Sequence, residues 1–326
     1  MAVVSFRGKG LKLDDRSHAQ VIVEAIASCH LMDTLILEGN TLGIEAAAAI
    51  GEALREKPTL RRAHFKDLFT GRLKTEVPQA LKHLLDGIAA SGASLEELDL
   101  SDNAFGPIGA KELKPFLTSA ASEKLRVLLL NNNGLGVQGG TLLAHALPLL
   151  TALQILVCGR NRLENDASVR IGESLSQVTN LIELEMPQNG IRAEGIAALS
   201  HAIRVNEKLQ VLNLNDNIIT RKGAMPLGDA LAACRSLRVV NLGDCLLRTA
   251  GGVRVLRGLI SGKPAQLTDL MLNGNELTGE EIVRLVSQLT SRIGCSSSLS
   301  VDLSCNNFGS LCTKLEEIDN ATVILE

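Results

Sequence analysis

The residues of this 326-residue chain best suited to chemistry are small, polar and evenly spaced. Ser101-Asp102, Asn131-Asn132, Gly159-Arg160, Pro187-Gln188, Asn215-Asp216 and Gly243-Asp244 each follow a short apolar segment at the same offset. Equivalent offsets put them in one polar row along a rim. Arg160 and Arg162 add positive charge to the Asp102 and Asp216 of that row. Such mixed charge suits docking onto another protein, although polar loops are also what solvent alone selects. A second candidate breaks the spacing. Residues 69–76, Phe-Thr-Gly-Arg-Leu-Lys-Thr-Glu, form an enlarged charged loop that carries Arg72 and Lys74. An enlarged charged loop on a repeat scaffold is a candidate for function, since insertions collect on one edge, although a tolerated surface insertion would look the same.

Chemistry of the chain's own is missing from the pattern. The six His (18, 30, 64, 83, 145, 201) have no metal-ligand spacing, and no H-E-x-x-H occurs. Neither G-x-S-x-G nor G-x-x-x-x-G-K-S/T is present, so no metal, no resident cofactor and no self-sufficient enzyme are expected. Residues 134–139 match G-x-G-x-x-G. No acidic residue follows at the ribose-binding distance of about 20 residues. A sister run, Phe105-Gly106-Pro107-Ile108-Gly109, marks these glycines as part of a repeat.

The elements that must hold the row come from one recurring pattern, Leu-x-x-Leu-x-Leu-x-x-Asn-x-Leu. It appears as Leu95, Leu98, Leu100, Asn103, Phe105, then as Leu125, Leu128, Leu130, Asn133, Leu135, and as Leu209, Leu212, Leu214, Asn217, Ile219. The Asn recurs at 40, 103, 133, 161, 189, 217, 275 and 306, with Cys245 in one slot and Leu68 in another. Alternating apolar residues predict a short strand. The Asn amide, both donor and acceptor, predicts a ladder that satisfies backbone groups where each strand ends. Helical spacing follows: Ile196, Leu199, Ile203 from about Glu194; Leu227, Ala230, Leu231, Cys234; and Leu81, Leu84, Leu85, Ile88 after the enlarged loop. Thr278-x-x-Glu281 reads as a capping box opening a helix.

The predicted fold is therefore an α/β leucine-rich repeat solenoid, a ribonuclease-inhibitor-like horseshoe with parallel concave strands and convex helices, in about eleven repeats. Residues 1–326 read as one domain: 1–30 an N-terminal capping repeat, 31–310 the repeats, 311–326 a C-terminal end. A core of Leu, Ile, Val and Ala explains why Trp and Tyr are absent. The net charge of −3 implies neither nucleic acid nor membrane as partner. Seven Cys (29, 158, 234, 245, 295, 305, 312) without C-x-x-C read as reduced thiols. With no leader-like N-terminus, this predicts a reducing compartment.

Several blocks go beyond the generic repeat. Asp67-Leu68-Phe69-Thr70-Gly71-Arg72, Leu100 to Pro107, Leu130 to Gly136, Cys158-Gly159-Arg160-Asn161-Arg162-Leu163-Glu164-Asn165-Asp166, Pro187 to Ile191 and Gly243 to Leu247 resemble, in order, the Ran GTPase-activating proteins. The resemblance covers nearly all of residues 4–310. It implies an activator of the small GTPase Ran in its GTP form, cytoplasmic and monomeric, supporting directional nuclear transport with Ran-binding accessory proteins as further partners. GTP and Mg would be bound by the partner. The resemblance further implies that no arginine finger is used, and that Asn132 helps order the partner's catalytic Gln. Arg72 then anchors its loop or pairs with an acidic group of Ran. Lys74, Asp102, Asn131, Arg160, Arg162 and Asp216 are the remaining partner-binding candidates. The acidic stretch that animal and fungal members carry after the repeats is represented here only by Glu316, Glu317, Asp319 and Glu326. The alternative reading is a non-catalytic binding scaffold resembling the ribonuclease inhibitors.

Overall fold

Alternation in each Leu-x-Leu segment gives a strand of about three residues, and the polar turn behind it gives a helix. The computed structural model describes residues 2–292 and 299–326; Cys295 lies outside them. The chain forms two compact units, Met1–Asn161 and Arg162–Glu326.

In the first unit, β1 (Ala2–Ser5), β3 (Met32–Ile36), β5 (Arg62–His64), β6 (Glu97–Asp99), β7 (Val127–Leu129) and β8 (Ile155–Val157) lie side by side in sequence order. A small second pairing joins β2 (Lys12–Leu13) to β4 (Thr41–Leu42). Pairing is parallel and in phase: Ala63 faces Leu98, Leu98 faces Leu128, and Leu128 faces Leu156. That register stacks one buried apolar side chain per repeat on the helix side. Each leucine among them contributes about 1.5–3 kcal/mol by leaving water. The helices are α1 (Arg16–Ser28), α2 (Ile44–Leu54), α3 (Val77–Ala90), α4 (Gly106–Leu117) and α5 (Gly136–Ala146). Helices α2 and α3 approach closely at Gly51 and Gly87, where an added methyl would run into the backbone of His83 and Gly51 respectively.

The second unit repeats the plan. Its strands β9 (Glu183–Glu185), β10 (Val211–Asn213), β11 (Val239–Asn241), β12 (Asp269–Met271), β13 (Leu299–Asp302) and β14 (Ala321–Ile324) are also neighbours in order. Helices α6 (Glu164–Leu175), α7 (Ala193–Val205), α8 (Thr220–Leu231), α9 (Arg248–Gly262), α10 (Glu280–Arg292) and α11 (Cys312–Glu316) connect them. The short C-terminal end thus contains a helix and a strand. The expected capping box is displaced. Gly279, at φ +89°, stands between Thr278 and the first turn of α10, and the Thr278 amide donates to Thr249 Oγ1 at 3.1 Å.

The ladder forms as its chemistry requires. Asn103 Nδ2 donates to Phe65 O and Leu100 O, both at 2.8 Å, and its Oδ1 accepts from Leu68 N at 2.7 Å. The amide of Asn103 therefore serves the turn whose own slot holds the buried Leu68. In the second unit the Cys245 thiol donates to Leu214 O and Gly243 O, both at 3.2 Å. Burial pushes the Cys158 and Cys245 thiols up to about 12, and neither is in a disulfide.

Candidate functional site

The polar row owes its geometry to one backbone conformation. The residue just before each ladder position is left-handed: Asp67 (φ 47°), Asp102 (60°), Asn132 (54°) and Arg160 (55°) in the first unit, Gln188 (54°), Asp216 (53°) and Asp244 (53°) in the second. Gly8 and Gly39 hold the same place in the first two repeats. Few side chains tolerate this region, and Asn and Asp are among them. The backbone N–H of each such residue bonds the carbonyl of the neighbouring turn: Asp102 N to Asn131 O at 2.8 Å, Asn132 N to Gly159 O at 2.9 Å. The side chains are left projecting.

Within the first unit these turns border a depression of about 400 Å³. Arg7, Glu38, Lys66, Asp67, Thr70, Asp102 and Asn132 line it. Arg7 Nη2 lies 2.6 Å from Glu38 Oε2, and Lys66 Nζ lies 3.3 Å from Asp102 Oδ2. The contact with the Asp102 carboxylate raises the Lys66 pKa. Asn132 Nδ2 donates to Asp102 Oδ1 at 3.0 Å. Asp102 and Asn132 are thus brought together.

The other expected residues are placed differently. Arg72 is 11 % exposed at its side chain. Its Nε donates to Thr41 Oγ1 at 2.9 Å, Nη1 to Asp14 Oδ1 at 2.6 Å, and Nη2 to Thr41 O at 3.0 Å and Leu13 O at 3.2 Å. Gly43 borders this corner, where a Cβ would sit 2.8 Å from Asp14 O and 3.3 Å from Arg72 Nη1. Of the two roles expected for Arg72, the geometry favours anchoring the loop over pairing with a partner. Lys74 is exposed on the same loop but does not line the depression. Asn131, expected to touch a partner, is half-buried, and its Oδ1 accepts from Gly159 N at 2.6 Å, so that atom braces the next turn. Arg160 is exposed in the left-handed position of its turn. Arg162 and Asp216 belong to the second unit; Arg162 is exposed, and Asp216 Oδ2 accepts from Gln188 Nε2 at 2.8 Å.

Comparison with known proteins bears on this arrangement. A family model described as a leucine-rich repeat matches residues 93–114 and 205–228. The crystal structure of an internalin from Listeria monocytogenes superposes with a TM-score of 0.52 at 15 % identity, over 97 % of this chain and 93 % of that one. The chain has the leucine-rich repeat fold. Ran GTPase-activating protein 1 of Xenopus laevis is 46 % identical to it over 182 residues, which is 52 % of this chain and 31 % of that protein. Ran GTPase-activating protein 2 of Caenorhabditis elegans is 50 % identical over 161 residues, 49 % of this chain and 17 % of that protein. The chain spans under a third of the length of either relative.

Sequence reasoning missed Arg7, Glu38, Lys66 and Asp67. A signal was there. Arg7-Gly8, Glu38-Gly39 and Lys66-Asp67 occupy the same two turn positions as Ser101-Asp102, and Leu68 in the Asn slot hid the third pair. Among the described residues no cluster of three or more metal-ligating side chains occurs, and no helix is long and apolar enough to cross a membrane.

Proposed function

We propose that this chain activates GTP hydrolysis by the small GTPase Ran in the cytoplasm, so giving nuclear transport its direction. The observation that carries the reading is the exposed Asn132 amide at the edge of the first unit's depression, in a sequence 46–50 % identical to Ran GTPase-activating proteins over about half its length. Activation of a GTPase requires an oriented water, a positioned Gln and neutralised charge. In this reading the reaction occurs in the partner's own site, on the GTP and Mg that the partner binds. Asn132 orders the partner's Gln. No arginine finger is used, and the four internal hydrogen bonds of Arg72 support that. Residues 1–326 act as one monomeric repeat domain, with the exposed Lys74, Arg160, Arg162 and Asp216 as further partner contacts. Ran-binding accessory proteins join the complex.

The test is single-turnover GTP hydrolysis by Ran with and without catalytic amounts of the protein. Acceleration by roughly three or more orders of magnitude is expected, given what activators of this class supply. Binding without acceleration would favour the scaffold reading and sink this one.

A further inference from the structure

Asn132 has two chemically opposite ends, and only one can face a partner. Its Nδ2 lies 3.0 Å from Asp102 Oδ1, while Asp102 Oδ2 lies 3.3 Å from Lys66 Nζ. A carboxylate only accepts, an ammonium only donates, and an amide does both at different atoms. The order ammonium, carboxylate, amide therefore has a single consistent polarity. Asn132 must turn its NH₂ toward Asp102 and its carbonyl oxygen away. The left-handed backbone at 132 is fixed by the bond from Asn132 N to Gly159 O.

We infer that Asp102 and Lys66 are positioning residues that hold the Asn132 carbonyl oxygen outward as a hydrogen-bond acceptor. This rests on the reading of Asn132 given above and deepens it. The partner group that Asn132 meets is then an N–H donor, which the primary amide of a catalytic Gln supplies and a carboxylate does not. Asp102 acts through Asn132, not as a contact to the partner, and Lys66 acts through Asp102. Sequence offsets place Asp102 and Asn132 in one row but do not pair Lys66 with Asp102, since Lys66 is 66 positions from Asn132 and belongs to the repeat that lacks its ladder Asn.

The polarity argument yields a test that a merely structural role would not pass. In Asp102→Asn the introduced amide would turn its oxygen to Lys66 and its NH₂ to Asn132, which reverses the Asn132 amide. The expected result is a fall in kcat for Ran hydrolysis of about tenfold or more, with KM within about threefold, the pattern of an interaction made only in the transition state. Lys66→Met alone lowers kcat. Added to Asp102→Asn, it removes the group enforcing the reversal and restores part of the rate. The same substitution thus has opposite signs in the two backgrounds. The side-chain amide resonances of Asn132 in ¹⁵N-labelled protein, assigned through Asn132→Ser, report the hydrogen bond without Ran. They are expected to shift in Asp102→Asn.

A rise in KM at constant kcat would overturn the inference by making Asp102 a direct contact. Lys66→Met lowering the rate equally in both backgrounds would also overturn it, as would Asn132 resonances unmoved by Asp102→Asn. A wild-type chain without effect on Ran would sink the functional reading itself; the Asn132 resonances would still decide whether Asp102 and Lys66 set the amide.

Discussion

Arg72 Nη1 lies 2.6 Å from Asp14 Oδ1, joining residues 58 positions apart. The same guanidinium also holds Thr41 and Leu13, so one side chain ties the enlarged loop to the first two repeats. A finger at this position would first have to abandon all of those bonds.

Arg72→Ala is therefore expected to lower stability and expose residues 69–76 to protease, with Ran turnover falling as a consequence. Arg72→Lys recovers little, because an ammonium cannot span acceptors set out for a planar fork. Denaturant unfolding and limited proteolysis check this. Full stability with abolished turnover would return Arg72 to the role of finger.

At Asn132 the backbone conformation complicates the usual alanine test. Alanine in the left-handed region costs about 1–2 kcal/mol of its own. Asn132→Gly removes the amide and keeps the conformation. It is expected to cut activation by on the order of 10²–10³-fold, the size found when one preorganised hydrogen-bonding group is lost. The unfolding midpoint should barely move. Single-turnover hydrolysis beside urea unfolding separates the two effects, and undiminished turnover would remove Asn132 from the mechanism.

Asn161 is a ladder residue, and its replacement should act on stability. Its Nδ2 serves Leu130 O and Gly159 O, both at 2.9 Å, and its Oδ1 accepts from Asn133 N at 3.0 Å. Asn161→Ala leaves the buried Asn133 N without its acceptor, at about 1–3 kcal/mol for the unsatisfied group, while Leu130 O keeps Asn133 Nδ2 and Gly159 O keeps Asn132 N. Equilibrium unfolding measures the loss.

In the second unit Glu183 and Glu185 share one sheet face. Burial, followed by the hydrogen bond and like charge of Glu185, pushes Glu183 up to about 7. Asn213 Nδ2 donates to Glu185 Oε2 at 2.7 Å. An acid whose folded pKa is raised binds its proton more tightly when folded. Its contribution to stability is therefore lost as pH rises through about 7. Glu183→Gln should flatten the fall in unfolding midpoint between about pH 4.5 and 7. An unchanged slope would show that the Glu183 carboxyl is not the group responsible.

The strands, ladder and helices were legible because each rests on residue type at fixed spacing. Leu98, Leu128 and Leu156 lie in register, and Cys245 takes the donor part expected of it. The site was legible only in part. Asp102 and Asn132 were found through their offsets, but the partner of Asp102 was not, because Leu68 obscured the alignment of Lys66. The inward turn of Arg72 was also hidden, since Asp14, Leu13 and Thr41 become its neighbours only when repeats stack. Thr278 failed as a cap because the intervening Gly279 takes a conformation that spacing alone does not reveal.

In many catalytic sites the side chain that does the work is one the fold would rather not have. Position 132 escapes that conflict. A left-handed residue is wanted there by the turn, an asparagine is among the few that accept it, and an asparagine is what the proposed reaction uses. Selection for folding and selection for activity then favour the same residue. The same holds along each row: exchanging one small polar side chain per repeat can readdress the surface to a new partner while every turn keeps its shape.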